Sequence, residues 1–372
     1  MIVAKYLFRA DASIDIGSGH VMRCMTLANE LRQSGHDIYF ICRNLPGHLA
    51  AVLEKNDIVY SLLGPPKDAE QNPQEPAYAH SAWLTVSQET DFLQSKKIIA
   101  SYQPDWIVLD HYALSSVWEE KAREFGAKVC IIDDLADRPH QADILIDQNL
   151  GRKKSDYLDL VPLYCQLLIG PQYALLRPEF KHWREFSLKR RAEIKSIQQI
   201  LVNLGGVDKD NITENILSAL ANMDSLDESA SITVVMGKTA PHLHRIIEKS
   251  ETMPYKTKVL CGVDNMAELM THADLAIGAA GSTSWERCCL GLPTIQIIIA
   301  KNQESVAAVL SELNVAFLVS SLPKLNDEFN FIFNKIKKRK EIYHQMFVAS
   351  KNITDGDGCS KVLALLDGGG NE

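Results

Sequence analysis

Two α/β domains, each built on a parallel sheet and facing one another across a cleft, are the fold class this sequence predicts. Three observations lead there. Short apolar runs alternate with segments whose apolar residues recur at helical spacing, the pattern of βαβ units. The alternation is interrupted by a strongly charged stretch near 177–195 and restarts at Gln199-Ile-Leu-Val-Asn203. The length, 372 residues, suits two domains of about 150 residues each.

The first strand is read at Tyr6-Leu7-Phe8, and a helix follows with Val21, Cys24, Met25, Ala28 and Leu31 on one face, closed by Gly35. His36–Cys42 reads as a second strand, 47–56 as a short helix and Ile58–Leu63 as a third strand. Residues 64–78, rich in Pro, Gly and charge, read as a surface loop. A helix over 91–102, a strand over 104–112, a helix over 115–125, and strands at Lys128–Asp133 and Asp143–Asp147 complete the first half. In the second half, strands are read at Ser231–Met236, Thr257–Cys261, Ala273–Ile277 and Pro293–Ile299. The C-terminal stretch reads as helical, broken at Asp355-Gly-Asp-Gly358 and ending in a frayed glycine tail. These readings divide the chain into an N-terminal domain over 1–176, a linker over 177–198, a C-terminal domain over 199–350 and a final helix and tail over 351–372.

Composition narrows the function classes. A net charge of −8 lacks the basic face of a nucleic-acid binder, and the clusters Lys189–Arg191 and Lys335–Lys340 read as solvated helix faces. Eight scattered cysteines without Cys-x-x-Cys spacing suggest reduced thiols rather than a disulfide framework or zinc site. No stretch approaches 18 apolar residues, and Arg9 and Asp11 break the first apolar run too early for a signal peptide. The expectation is a cytoplasmic, soluble protein.

The chemistry gathers first in Asp11-Ala-Ser-Ile-Asp-Ile-Gly-Ser-Gly-His20-Val-Met-Arg23, between the first strand and its helix. Free N–H groups and the helix dipole favour an anion or an electron-rich oxygen there. Gly17 and Gly19 relax the backbone for close approach. His20, at the positive helix end, is expected to stay neutral, as a general base requires. A third glycine for dinucleotide binding is missing, since position 22 is Met, and no Gly-Lys-Ser/Thr makes a P-loop. A helix cap or packed residue is the plainer alternative for His20. Asp110, His111 and Tyr112 end a strand of the same half and are expected on the same side as His20.

In the second half, Leu204-Gly205-Gly206-Val-Asp208, Met236-Gly-Lys-Thr239 and Ala279-Ala-Gly281-Ser282-Thr283-Ser284-Trp-Glu286 occupy strand ends. Small residues opening a helix suit phosphate oxygens, and Glu286 one turn on is placed to accept ribose hydroxyls. Ser282 or Ser284 as a simple N-cap remains the alternative. Asn302, beside Gln303, is either a donor to a sugar hydroxyl or phosphate, or a cap. Asp133-Asp134 invites a metal reading, yet no His or further acid completes a ligand set and strand-end carboxylates also cap helices. No metal and no cofactor are expected.

In this order, Phe8-Arg-Ala-Asp11, Ile16-Gly-Ser-Gly-His20-Val-Met-Arg23-Cys24, Val108-Leu-Asp-His-Tyr112, Asp133-Asp134, Gly170–Phe180, Asn203–Asp208, Gly281–Glu286 and Asn302-Gln303 resemble a known family along nearly the whole chain. It is that of the pseudaminic-acid-pathway UDP-2,4-diacetamido-2,4,6-trideoxy-β-L-altropyranose hydrolases, similar in fold to the peptidoglycan UDP-GlcNAc transferase of the GT-B class. The resemblance implies a GT-B-like pair of Rossmann-like domains, with UDP held mainly by the C-terminal one. It implies metal-independent attack of water on the anomeric carbon with inversion, in surface-glycan synthesis such as flagellin glycosylation. The family's essential His maps to His20, with Tyr112 and Asn302 as its companions in catalysis. Substrate binding maps to Asp11, Gly17, Gly19 and Arg23 in the first half. In the second half it maps to Gly205, Gly206, Met236, Cys261, Ser282, Thr283, Glu286 and Gln303. The expected partner is a UDP-amino sugar bound by a monomer, with no nucleic acid and no membrane span. Extra length around 60–95 and 178–198, relative to compact members, is where a different specificity would reside. A GT-B glycosyltransferase working on a surface polysaccharide is the second reading, and a nucleotide-sugar-binding scaffold without activity is the third.

Overall fold

A computed structural model describes residues 3–64, 78–223 and 226–368. The loop read at 64–78 therefore falls, for 65–77, outside the described residues, as does the glycine tail beyond 368. The chain forms two compact units, one of Met1–Leu175 with Gly358–Glu372 and one of Leu176–Asp357.

The first unit runs β1 (Lys5–Ala10), α1 (Gly19–Gln33), β2 (Asp37–Arg43), α2 (Ala50–Lys55), β3 (Val59–Leu63), α3 (Gln88–Tyr102), β4 (Trp106–Asp110), α4 (Ser116–Arg123), β5 (Lys128–Ile132), β6 (Ile144–Asp147) and β7 (Gln166–Ile169). Its strands form one sheet in the order β3-β2-β1-β4-β5-β6-β7, with every pairing parallel. A parallel sheet covered on both faces needs apolar residues at consecutive positions. β4 meets this need, with Trp106 through Asp110 all buried. One face packs Phe8, Val108 and Cys130 with Val21, Cys24 and Leu31 of α1. The other packs Leu7, Ile107 and Val129 with Phe92 and Ile99 of α3 and Trp118 of α4. Ser87 starts α3 by accepting a hydrogen bond from the Thr90 N–H at 3.0 Å.

The second unit runs α5 (Pro178–Ala192), β8 (Gln199–Asn203), α6 (Ile212–Ala221), β9 (Ser231–Met236), α7 (Leu243–Glu251), β10 (Lys256–Cys261), α8 (Met266–His272), β11 (Leu275–Ala279), α9 (Thr283–Cys289), β12 (Thr294–Ile297), α10 (Glu304–Glu312), β13 (Ala316–Val319), α11 (Leu325–Lys338) and α12 (Lys340–Lys351). Its sheet is again wholly parallel, ordered β10-β9-β8-β11-β12-β13. A last helix, α13 (Gly358–Gly368), returns to the first unit, where Cys359, Val362 and Leu366 join the α1 face of the core.

Residues 177–198, expected as a linker, hold α5 and belong to the second unit. Arg191, read as part of a solvated face, is buried: its guanidinium donates to the carbonyls of Ala273 at 2.6 Å and Leu290 at 2.9 Å. Those carbonyls lie at the ends of α8 and α9, where unpaired acceptors and the negative dipole end suit a cation. Two short edge strands, β7 and β13, escaped the sequence reading because they are only partly buried, whereas the equally short β6 and β12 are buried throughout and left a clear apolar run.

Both sheets share one winding, with the strand order reversing beside the first strand of each: between β1 and β4, and between β8 and β11. Ligands of open α/β sheets bind outside the strand carboxyl ends at such reversal points.

Candidate active site in each unit

At the β1/β4 reversal of the first unit, the loop after β1 brings His20 to Asp110 at the end of β4. Gly17 has φ 81°, a left-handed conformation that closes the loop by donating its N–H to the Ser13 carbonyl at 2.8 Å. Gly19 behaves differently from its expectation: it is the first residue of α1 and has no positive φ. His20 Nδ1 lies 2.6 Å from Asp110 Oδ1. Burial raises the Asp110 carboxyl's pKa, but Arg23 and His20 outweigh it and hold the group well below the usual carboxylate range. An ionised Asp110 accepts from Nδ1–H, so in the neutral ring Nε2 is the proton acceptor. This is the His–carboxylate arrangement of a general base.

Arg23, expected to bind substrate, fixes Asp110. It donates from Nε to Oδ2 at 2.5 Å and from Nη2 to Oδ1 at 2.7 Å, and its Nη1 reaches Asp134 Oδ2 at 2.6 Å. Tyr112 donates its hydroxyl to the same Asp134 oxygen at 2.5 Å, and its ring stands edge-on to His20 with centroids 4.5 Å apart. Burial, reinforced by Asp134, pushes the Tyr112 phenol pKa far up. Tyr112 therefore braces the imidazole rather than titrating.

Asp11, expected among the substrate-binding residues, directly follows β1. It is fully buried, and its carboxylate accepts from Arg9 at 2.6 and 2.9 Å and from the Arg43 N–H at 2.6 Å, with His111 Nε2 3.2 Å away. It ties the ends of β1, β2 and β4 together. The Asp133–Asp134 pair is likewise engaged. Asp133 accepts from the Ala136 N–H and the Tyr157 hydroxyl, each at 2.8 Å, and Arg138 lies 2.9 Å away.

At the β8/β11 reversal of the second unit, Gly205 (φ 93°) and Gly206 follow β8, and the Gly206 carbonyl accepts from the Gly237 N–H at 3.1 Å. Gly281, Ser282 and Thr283 follow β11, and Gln303 lies against them, its amide nitrogen 3.6 Å from where a Cβ on Gly281 would stand. Ser282 occupies the N-cap position of α9, yet its side chain makes no capping hydrogen bond and is exposed. Glu286 follows, partly exposed and 3.9 Å from Arg177. Burial raises its pKa, opposed by Arg177 and Arg287. Asn302 is exposed at the start of the turn leading into α10. Cys261 is exposed at the end of β10, whereas the Met236 side chain is in the core, leaving only its backbone near the strand end. Asp208 caps α6, accepting from the Ile212 and Thr213 N–H groups at 2.9 Å each.

Sequence reasoning missed Arg287. Buried beneath the 279–284 turn, it donates to the Ala279 carbonyl at 2.7 Å, Ser284 Oγ at 3.0 Å and Thr283 Oγ1 at 3.1 Å. Burial lowers its pKa to about 10, which leaves it cationic at neutral pH. A Cβ on Gly278 would stand 2.6 Å from this guanidinium and 2.9 Å from the Asn203 carbonyl, so only glycine fits there. The turn is thus backed by a positive charge held by neutral oxygens. Among the described residues, no cluster of His, Cys, Asp and Glu has a metal-ligand arrangement, and no helix is long and apolar enough to cross a membrane.

Two parallel-sheet, Rossmann-like units with sites at their strand reversals define a GT-B-type protein. MurG of Acinetobacter baumannii shares the fold, with a TM-score of 0.67 over 98% of this chain and 99% of that one at 16% identity. The glycosyltransferase family 28 C-terminal domain matches residues 200–351. The chain is 27% identical over 309 residues, 83% of its length and 96% of the relative's, to the UDP-2,4-diacetamido-2,4,6-trideoxy-β-L-altropyranose hydrolase of Campylobacter jejuni. It is 24% identical to the spore coat polysaccharide biosynthesis protein SpsG of Bacillus subtilis, over 96% of each chain. The chain is thus similar to these two relatives along most of its length, and to a glycosyltransferase domain over 200–351.

Proposed function

We propose that this protein hydrolyses a UDP-linked diacetamido-trideoxy sugar. Water attacks the anomeric carbon, a new C–O bond forms on the face opposite the nucleotide, and the bond from that carbon to the phosphate oxygen breaks. The electron pair leaves with UDP, the sugar is released with inverted configuration, and the water proton passes to His20 Nε2 and then to solvent. The observation that carries this reading is the 2.6 Å contact of His20 Nδ1 with Asp110, which leaves Nε2 as the basic atom. The relative's name supplies the substrate class. UDP is assigned to the second unit, where Gly205, Gly206, Ser282, Thr283 and Gln303 present small or polar groups at the strand ends above Arg287. There the buried guanidinium would favour the diphosphate and the charge that develops as UDP leaves. Glu286 would read the ribose, and Asn302 would orient sugar or water.

The match of residues 200–351 to a glycosyltransferase domain favours a second reading, in which His20 deprotonates an acceptor hydroxyl instead of water. One experiment separates the two: proton NMR of the full chain with UDP-2,4-diacetamido-2,4,6-trideoxy-β-L-altrose, without acceptor and with EDTA. Appearance of UDP and the free sugar, with the inverted anomer first, is the expected result. An unchanged spectrum would remove the hydrolase reading for this substrate.

A further inference from the structure

The proposed catalytic ring has an aromatic neighbour that the mechanism leaves unused. A short helical turn, Ser81–Leu84, lies between β3 and α3. It is anchored from below by Leu84 and Val86, both buried in the core on the α3 face of the sheet. Above that anchor, the Trp83 indole lies nearly parallel to the Tyr112 ring, at 22° with centroids 5.6 Å apart. It stands edge-on to His20, with centroids 6.1 Å apart at 74°. His80 supports the indole from a centroid distance of 4.2 Å. Tyr112 is buried, whereas Trp83 and His80 are only partly so. Trp83 Nε1 has no hydrogen-bond partner among the described residues.

A partly buried indole with an unpaired donor, next to the base, is suited to a ligand that is apolar and carries carbonyl acceptors. A fully hydroxylated hexose offers little of either. A sugar with acetamido groups and a deoxy methyl offers both. We infer that Trp83, supported by His80, is a specificity-determining wall of the sugar subsite, packing against the acetamido and C6 methyl groups beside His20. This inference rests on the nucleotide-sugar reading above and narrows it: the wall selects acetamido-deoxy sugars over their hydroxylated counterparts. Apolar contacts of this kind discriminate by about 10–200-fold per missing group.

The test is calorimetric titration of the full chain carrying His20→Leu, so that the sugar nucleotide survives, with and without Trp83→Ala or Trp83→Phe. The probes are UDP, UDP-GlcNAc and UDP-2,4-diacetamido-2,4,6-trideoxy-β-L-altrose. Trp83→Ala is expected to weaken the diacetamido sugar nucleotide by about tenfold or more while leaving UDP unchanged, and Trp83→Phe to recover most of the loss. Unchanged affinity for that sugar nucleotide in Trp83→Ala overturns the inference. So does an equal loss for UDP, or a parent protein that binds the sugar nucleotide no better than UDP. The hydrolase reading fails separately, through absent UDP release by the unmutated protein; the wall is read from binding alone.

Discussion

His20→Leu is expected to cut turnover of the UDP-sugar by about 10²–10⁴-fold, the usual contribution of a positioned general base. Leucine fills much of the imidazole's volume and keeps an apolar contact with the Tyr112 ring, so α1 should fold as before. What disappears is the Nε2 lone pair, and with it the acceptor for the water proton. Because the nucleotide is assigned to the second unit, UDP should bind the variant with unchanged affinity. Steady-state rates and UDP titrations together make the check. A variant that turns over normally would remove His20 from the chemistry. One that loses UDP affinity and rate in parallel would make the residue a binding group instead.

Asp91→Ala should lower the unfolding free energy by about 3–5 kcal/mol, because it strands buried guanidinium groups. Asp91 accepts from Arg9 at 3.1 and 2.6 Å, from Arg43 at 2.6 Å and from the Trp118 indole N–H at 3.0 Å, and all four residues are fully buried. Asp11 offers Arg9 a second carboxylate, but among the described residues only Asp91 pairs with the Arg43 guanidinium. The pH dependence has a definite sign. Burial raises the Asp91 and Asp11 pKa values, but the arginines reverse this and set both below the usual carboxylate range. The unfolded chain therefore takes up protons first, near pH ~4. The stabilisation from these pairs is complete above that range and is lost progressively as pH falls through the folded-state values. Urea midpoints across pH should show a steep acid decline in the parent and a shallower one in Asp91→Asn. Identical midpoints for parent and Asp91→Ala would mean the network adds nothing to stability.

Much of the fold could be read from residue order because parallel strands buried on both faces demand apolar runs, as in Trp106–Leu109 and Leu275–Ala279. β7 and β13 could not, since short, only partly buried edge strands leave too little pattern. Charge misled at Arg191, whose partners are backbone carbonyls far away in sequence. The site divides along the same line. His20 stood out because its loop joins a strand to a helix start. Its link to Asp110 depends on β4 lying beside β1, a fact of strand order. The contacts of Asp11 and Arg23, one joining strand ends and the other holding Asp110, depend on the same strand order. Arg287 was hidden by its surroundings, a polar residue in a seven-residue helix that also buries Trp285, Cys288 and Cys289. Trp83 carries no local signal at all; only the anchored turn reveals its place.

The central claim is that water, activated at His20, attacks carbon rather than phosphorus. Running the reaction to completion in ¹⁸O-labelled water and weighing both products by mass spectrometry tests it most directly. The account predicts one labelled oxygen in the released sugar and none in UDP. Label in the UDP phosphate, with an unlabelled sugar, would contradict it.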